Sequence, residues 1–382
     1  MDNRLPSVSA SQALRNSSCS ASKPLPTGLD RLDSILQDAT GLQDGRGSQA
    51  GGLSRGQVTE IYGPPGVGKS TLGMQICANA LRAGEAVVWV DTSFALPGPR
   101  LQEILTAAIN PSLKASQPSQ LLDQSLQDLL DNFHHFNAPT LSHILALLLH
   151  PAPSFPPMKT GLIVVDAIST LFGSEFPRLT GEGGRGCKDN ETLLKRKNDH
   201  SQWLSSRKWA VIGDFISKIG RLAAVRDVAI LLISQTKMKV QTGAGAVLLS
   251  SISSSVWDVN IANQIFLFRD NPPQTRDGEG EEKALNSGKL RFAGVLRSRG
   301  VVSSDGVLGR VVPFVIEEKG IRGVEIAMPS PDVNQLPAMP VILKRKHDEI
   351  TNSGSEDDEY GWDSDDEIPA EDDPTDVFGE PK

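Results

Sequence analysis

The chain has 382 residues, 38% hydrophobic and 22% charged, a balance that suits a soluble globular protein with one large domain plus extensions, or two small domains. Its three cysteines, Cys19, Cys77 and Cys187, are odd in number and far apart; this spacing excludes a disulfide framework or zinc site and points to a reducing intracellular compartment. No apolar stretch reaches the length of a membrane span, and the Ser- and Asn-rich start lacks the apolar block of a secretory signal, so no membrane partner is expected.

The net charge of −8 conceals two different parts. From Asp348 to Lys382 fifteen acids face one lysine, a net of −14, which leaves +6 on residues 1–347. An acidic tail is attached to a mildly basic body.

Residues 1–23 are polar and without periodicity, which reads as a disordered N-terminus. A folded core is expected over 24–330. It opens with Leu25-Pro-Thr-Gly-Leu-Asp30, a turn leading into a short helix, followed by a Gly- and Gln-rich loop over 37–52. Gln57–Tyr62 reads as a strand and Lys69–Ala83 as a helix closed by Gly84. Ala86–Asp91 is a buried strand, Leu101–Ile109 a helix, Asn132–Asn137 a strand and Thr140–Leu149 an apolar helix. Gly161–Ala167 is a continuous apolar strand. In Val211–Val225, Ile212, Phe215, Ile216, Ile219, Leu222 and Ala223 recur at spacings of three and four, one face of a helix. Val228–Ser234 is another buried strand.

Strands buried on both faces and alternating with helices imply an α/β fold with a mostly parallel central sheet. Gln264–Asp270, Lys289–Ser298 and Val312–Ile321 read as C-terminal strands that extend the sheet in antiparallel fashion. Two segments do not suit a compact core: a polar insertion loop over 173–208, and the tail 348–382, which has too few apolar residues to fold and follows a linker at 331–347.

The sharpest signal is Gly63-Pro64-Pro65-Gly66-Val67-Gly68-Lys69-Ser70-Thr71, which matches the phosphate-loop pattern between a predicted strand and a predicted helix. The glycines let backbone N–H groups turn inward around phosphate oxygens, and Lys69 reaches the terminal phosphates. The Ser70 hydroxyl ligates Mg2+, and the helix that starts there points its positive end at the anion. The expected ligand is therefore ATP, or another nucleoside triphosphate, with Mg2+. A second part is Leu162-Ile-Val-Val-Asp166, four apolar residues ending in an acid at the carboxyl end of a central strand, placed to bind the metal directly or through water. A third is Gln235, which ends the next strand. It either senses the terminal phosphate and relays its presence to the following loop, or serves as a polar strand cap.

Together these parts resemble the RecA-type recombinase family, and within it the eukaryotic recombinase paralogues. The resemblance spans roughly 24–325 and is carried by Thr27-Gly28-Leu29-Asp30, the loop at 63–71, Val90-Asp91-Thr92, Leu162 to Leu171, Ile233-Ser234-Gln235 and Trp257 to Gln264. Among the branches, the chain looks most similar to fungal recombination mediators that assist the main recombinase as heterodimers. The resemblance implies a RecA-like ATPase core with Lys69 and Gln235 in the catalytic positions and Ser70 and Asp166 at the metal.

It fails at one position. Active members carry a glutamate that positions the attacking water in an Asp-Thr-Glu-Gly-like sequence, whereas this chain reads Asp91-Thr92-Ser93-Phe94. Losing a general base costs about 10²–10⁴ in rate, while phosphate binding is untouched, so binding with weak turnover at most is expected. Glu103 on the next predicted helix is the candidate substitute. Residues 1–23 stand where full recombinases carry a helical domain and a Phe-x-x-Ala docking segment, so pairing with a related chain is expected rather than long filaments of this chain alone.

The family places DNA-contacting loops after Asp166. The first corresponding segment carries Arg178, Arg185, Lys188, Lys195, Arg196, Lys197, Arg207 and Lys208 against Glu182, Asp189, Glu191 and Asp199. Such a loop neutralises phosphates with little sequence preference, and Trp203 and Trp209 are candidates to stack on bases; the alternative is a solvated insertion, and for Trp209 a helix cap. The second loop, Thr236–Ser255, holds Lys237 and Lys239. Lys344-Arg345-Lys346 has the composition of a nuclear import signal, and Ser355 and Ser364 sit among acids in a context favoured by acid-directed kinases.

The expectation is a nuclear, ATP-binding accessory protein of homologous recombination that contacts single-stranded DNA and assists the main recombinase together with a related paralogue. A competent DNA-dependent ATPase, and a structural adaptor in which ATP only stabilises the fold, stay open as alternatives.

Overall fold

The computed structural model describes residues 23–37, 51–109, 119–176, 191–241, 245–270, 290–302 and 310–324. Residues 1–22, the linker with Lys344-Arg345-Lys346, and the acidic tail with Ser355 and Ser364 lie outside the described residues.

In chain order, α1 (Asp30–Gln37) and β1 (Val58–Tyr62) precede α2 (Lys69–Arg82), β2 (Ala86–Asp91), α3 (Gly98–Ile109), α4 (Ser119–Asp131) and β3 (Phe133–Asn137). Next come α5 (Leu141–Leu149), β4 (Thr160–Asp166), α6 (Ile168–Glu175), the long α7 (Glu191–Arg226) and β5 (Ala229–Ser234). A hairpin of β6 (Thr236–Gln241) and β7 (Gly245–Ser250) then leads to α8 (Ser255–Asn260), β8 (Asn263–Phe268), β9 (Leu290–Ser298), β10 (Val301–Val302), β11 (Val311–Glu317) and β12 (Gly320–Gly323).

The main sheet runs β12-β11-β9-β8-β1-β5-β4-β2-β3, with β10 attached to β9. All pairings from β8 through β3 are parallel, and those from β9 outward are antiparallel. This is the expected α/β architecture with its antiparallel extension.

Alternation along the strands explains why both faces are covered. Val87, Trp89, Leu162, Val164, Leu231 and Ile233 pack into one core with Leu32 and Leu36 of α1, Leu72 and Ile76 of α2 and Ile104 of α3. Their neighbours Val88, Val90, Ile163, Val165, Ile230 and Leu232 pack into the other, with Ile144 of α5, Phe172 of α6, Phe215 and Ile219 of α7 and Trp257 of α8. Each such fully buried side chain contributes about 1.5–3 kcal/mol, and the sheet shares the gain between its two sides.

Four expectations need correction. The segment read as an insertion loop over 173–208 is helical from Glu191 onward, because α7 runs unbroken to Arg226. No Gly or Pro occurs between Glu191 and Ile212, and Leu, Lys, Arg and Gln favour a helix even without an apolar stripe. Trp209 does not cap a helix; it lies inside α7 and packs partly buried against the second core. Thr236–Ser255 is mostly a hairpin rather than a loop, with Thr236 paired to Ser250 at its base. The single strand expected at Val312–Ile321 is two, β11 and β12, paired from Glu317↔Gly320 outward. Helix α4 is an addition to the expected elements, and Leu126, Leu129 and Leu130 pack it against the first core.

Candidate functional site

The carboxyl ends of β1, β2, β4 and β5 lie in one row, the edge where open parallel sheets bind ligands. Tyr62 pairs with Ser234, and Asp91 with Asp166, so Gly63, Thr92, Ala167 and Gln235 all leave the sheet at the same level.

The loop 63–68 follows β1 and feeds α2. Two of its glycines are enforced, Gly63 by backbone space and Gly68 chiefly by its dihedral. A Cβ on Gly63 would lie 2.3 Å from the Leu267 carbonyl oxygen, and one on Gly68 would lie 2.4 Å from Ile316 Cδ1. Gly68 also has φ +102°, in the left-handed region. It stands at the N-cap of α2 without any side-chain cap, which leaves the first-turn N–H groups free to take an anion. Arg269, at the end of β8, holds the loop from behind by donating from Nη2 to the Gly66 carbonyl at 2.7 Å.

Lys69 is buried and folds back over the loop, donating to the carbonyls of Gly63 (2.7 Å) and Pro64 (2.9 Å) and lying 3.4 Å from Gln235 Oε1. Burial pushes its pKa down to about 8, partly opposed by Asp166. Ser70 Oγ donates to Asp166 Oδ2 at 2.7 Å. Burial raises the Asp166 pKa, and Asp91 beside it adds to the rise, against the Ser70 hydroxyl, the Ala167 N–H and Lys69. A carboxylate destabilised in this way gains from a bound cation.

Ser70 and Asp166 offer adjacent hard oxygens at a loop lined with N–H donors, which fits Mg2+ held by one or two protein ligands plus phosphate oxygens. Immediately after Asp166 the backbone turns through Ala167 at φ 62°, a left-handed conformation that costs a non-glycine residue about 1–2 kcal/mol and starts α6 at once.

Gln235 is fixed at both ends. Its N–H donates to Ser169 Oγ at 2.9 Å, and its carbonyl accepts from Ser251 N–H at 3.0 Å, so it forms the base of the β6–β7 hairpin. Sequence reasoning missed Ser169, Arg269 and the brace made by Thr92, whose Oγ1 donates to the Asp166 carbonyl at 2.6 Å. Thr92 and Ser169 lie in stretches that carry the family resemblance but had no role of their own, and Arg269 lies in no recognisable pattern.

The remaining expected residues are dispersed. Ser93 and Phe94 are exposed just beyond Asp91. Asp91 itself is buried and committed, accepting from Trp89 Nε1 (2.7 Å) and Leu96 N–H (2.6 Å) and bonded to His135 Nε2 (2.6 Å). Glu103 is paired with Arg100, which also donates to the Glu317 and Glu318 carbonyls; the pair ties α3 to the β11–β12 turn. Lys237 and Lys239 lie on β6, and Met238 and Leu248 face each other across the hairpin, both exposed. Lys195, Arg196 and Lys197 are on the first half of α7; Arg178, Arg185 and Lys188 lie outside the described residues. The exposed Trp203 carries the Arg207 guanidinium 5.2 Å from its ring centre, so one of its faces is already covered.

Residues 30–134 match the RecA N-terminal domain. The chain is 28% identical over 276 residues to the DNA repair protein rhp55 of Schizosaccharomyces pombe, covering 64% of this chain and 75% of that protein. It is 36% identical over 180 residues to the DNA repair and recombination protein RadB of Halobacterium salinarum, 46% of this chain and 64% of that one. Over 80 residues it is 39% identical to Protein RecA of Streptomyces ambofaciens, 21% of this chain and 18% of that one. The domain match takes in the phosphate loop and Asp91 but stops before Asp166 and Gln235, whose assignment rests on their geometry.

Proposed function

We propose that this chain is a RecA-type protein and, on that premise, an ATP-binding accessory protein of homologous recombination and double-strand break repair. Its ligand is ATP with Mg2+, held by Gly63–Thr71, with Ser70 and Asp166 at the metal. Ser70 and Asp166 would hold the ion, which would supply neutralisation of the phosphate charge. Lys69, which donates to the Gly63 and Pro64 carbonyls, would pair with the terminal phosphates, with Gln235 beside it.

The observation that carries the reading is the contrast between an assembled binding set and an unfilled water-positioning place. Lys69 lies against Gln235 and Ser70 against Asp166, while Ser93 offers no base and Glu103 is tied up with Arg100. ATP then acts as a conformational ligand that shapes the hairpin and a subunit contact, with slow turnover at most. The relatives named for DNA repair and recombination support the pathway.

Single-stranded DNA is contacted by Lys237 and Lys239 on the hairpin and by the basic stretch from Arg178 to Lys197, a salt-sensitive, largely sequence-independent surface. A related paralogue and the main recombinase are the partners, in the nucleus. The competent-ATPase alternative would need its water-positioning acid from a partner subunit.

The test is ATP binding and turnover on one preparation, with and without single-stranded DNA, beside Lys69→Ala. Binding that drops about 10- to 100-fold in the variant, with negligible turnover in the unmutated chain, supports the reading. Brisk DNA-stimulated turnover would overturn the accessory role in favour of a motor-like ATPase. Unchanged binding in Lys69→Ala would remove the nucleotide from this loop altogether.

A further inference from the structure

Glu60 is a charged residue that the nucleotide chemistry leaves unused. It is the third residue of β1, three positions ahead of Gly63, and is fully buried. Alternation along β1 turns it, with Val58, toward the face covered by α7 and α8. Its carboxyl group accepts three hydrogen bonds from three separate elements. Ser250 Oγ donates to Oε1 at 2.6 Å, while Gln264 Nε2 (2.9 Å) and Trp257 Nε1 (3.2 Å) donate to Oε2. Burial pushes the Glu60 pKa up, and these donors pull it back. Burying a carboxyl group is costly unless its lone pairs are filled, and a valine like Val58 would pack the strand without that cost. The acid therefore needs a reason beyond packing.

Its donors supply the reason. Ser250 is the last residue of β7, where the hairpin returns to the body of the protein, and Thr236 pairs with it at the other side of the base. The hairpin thus stands on two feet. One is Gln235, held by Ser169 and lying against Lys69. The other is Ser250, which Glu60 holds to the strand that carries the phosphate loop.

We propose that Glu60 is a positioning residue that couples the β6–β7 hairpin to the nucleotide through Ser250, independently of Gln235. A shift of β1 when the phosphate loop fills is then delivered to the second foot directly, and the hairpin moves as a unit instead of pivoting on Gln235. Trp257 and Gln264 keep the carboxyl group oriented, so that the Ser250 hydroxyl is the bond that transmits. This inference rests on the reading in which the hairpin contacts DNA.

The experiment measures the affinity of the full chain for a fluorescent oligothymidylate, with magnesium and a non-hydrolysable ATP analogue and again without nucleotide. The ratio of the two affinities is the coupling. Ser250→Ala should cut that ratio roughly fivefold or more while analogue affinity and melting temperature stay close to those of the unmutated chain, and Ser250→Thr, which keeps the hydroxyl, should restore it. Glu60→Gln, which turns an amide NH2 toward donors, should lower the ratio in the same direction. Should Glu60→Gln fail to fold, Ser250→Ala decides alone. Full coupling in a folded Ser250→Ala overturns the role of Glu60. An unmutated chain with no nucleotide-dependent gain overturns the DNA reading first, and this inference falls with it.

Discussion

The two sides of the phosphate cleft are built to different standards. On the β1–β4–β5 side Lys69, Ser70 and Gln235 each have a defined partner: Lys69 two carbonyls, Ser70 the Asp166 carboxylate, Gln235 the Ser169 hydroxyl. On the β2 side the chain spends Asp91 on bracing Trp89, Leu96 and His135, then presents an exposed Ser93 and an exposed Phe94. In the proposed reading the first side holds the nucleotide, and on the second the position after Thr92 carries a serine in place of a carboxylate. Binding and hydrolysis can therefore be lost or kept separately, because they depend on different strands.

The most forceful way to break this contrast is Ser93→Glu. If the β2 side lacks only its base, that single change should raise ATP turnover by about 10²-fold with little change in affinity, read from phosphate release under saturating ATP. No gain would mean that the loop after Asp91 is also misplaced, and that weak turnover does not come from Ser93 alone.

A smaller effect sharpens the binding side. Burial holds the Lys69 pKa near 8, and the charged form is the one that pairs with phosphate. As pH rises through that value the free protein must take up a proton to bind, so affinity falls. From about pH 7 to about pH 9 the loss should be roughly tenfold, following the protonated fraction. Lys69→Arg, charged throughout, should give a flat profile in the same titration.

The smallest effect lies outside the cleft and serves as its control. Asp33 in α1 accepts the Thr27 N–H at 2.9 Å, and burial raises its pKa from 3.8 to about 6. The folded state then binds this proton more tightly than the unfolded state. The stabilisation is complete below pH 3.8 and is lost as pH rises to about 6. Asp33→Asn should remove that part of the stability slope, seen as a melting-temperature difference of a few degrees between the two chains, without touching ATP affinity.

How much of this is legible in the sequence follows from how local each feature is. Phosphate chemistry dictates residue types at fixed spacing, so Gly63 to Thr71 can be read directly. Asp166 is readable because an apolar strand ending in an acid is a short-range pattern. The first half of α7 is not, since hydrophobic periodicity is silent on a helix with no apolar stripe, and its polar composition reads as a loop. The hairpin is hidden by the small residues from Gly243 to Ala246, which carry little strand signal of their own. Ser169, Arg269 and Ser250 act through contacts to residues 66, 203 and 190 positions away along the chain, and no local pattern reports such distances. Glu60 does leave a trace: an acid in the buried phase of a strand otherwise written Val-Thr-Glu-Ile-Tyr.

The level row of strand ends has a consequence for how the gene can change. The pairings Asp91↔Asp166, Val165↔Leu232 and Tyr62↔Ser234 bring the loop after β1, the Asp166 carboxylate and Gln235 out of the sheet together. Volume-conserving substitutions inside β1, β4 and β5 leave that alignment intact. A one-codon insertion or deletion within any of them turns every later side chain of that strand to the opposite face and carries its functional residue out of reach of the others. The site is thus tolerant of drift in the identity of its strands and intolerant of drift in their length.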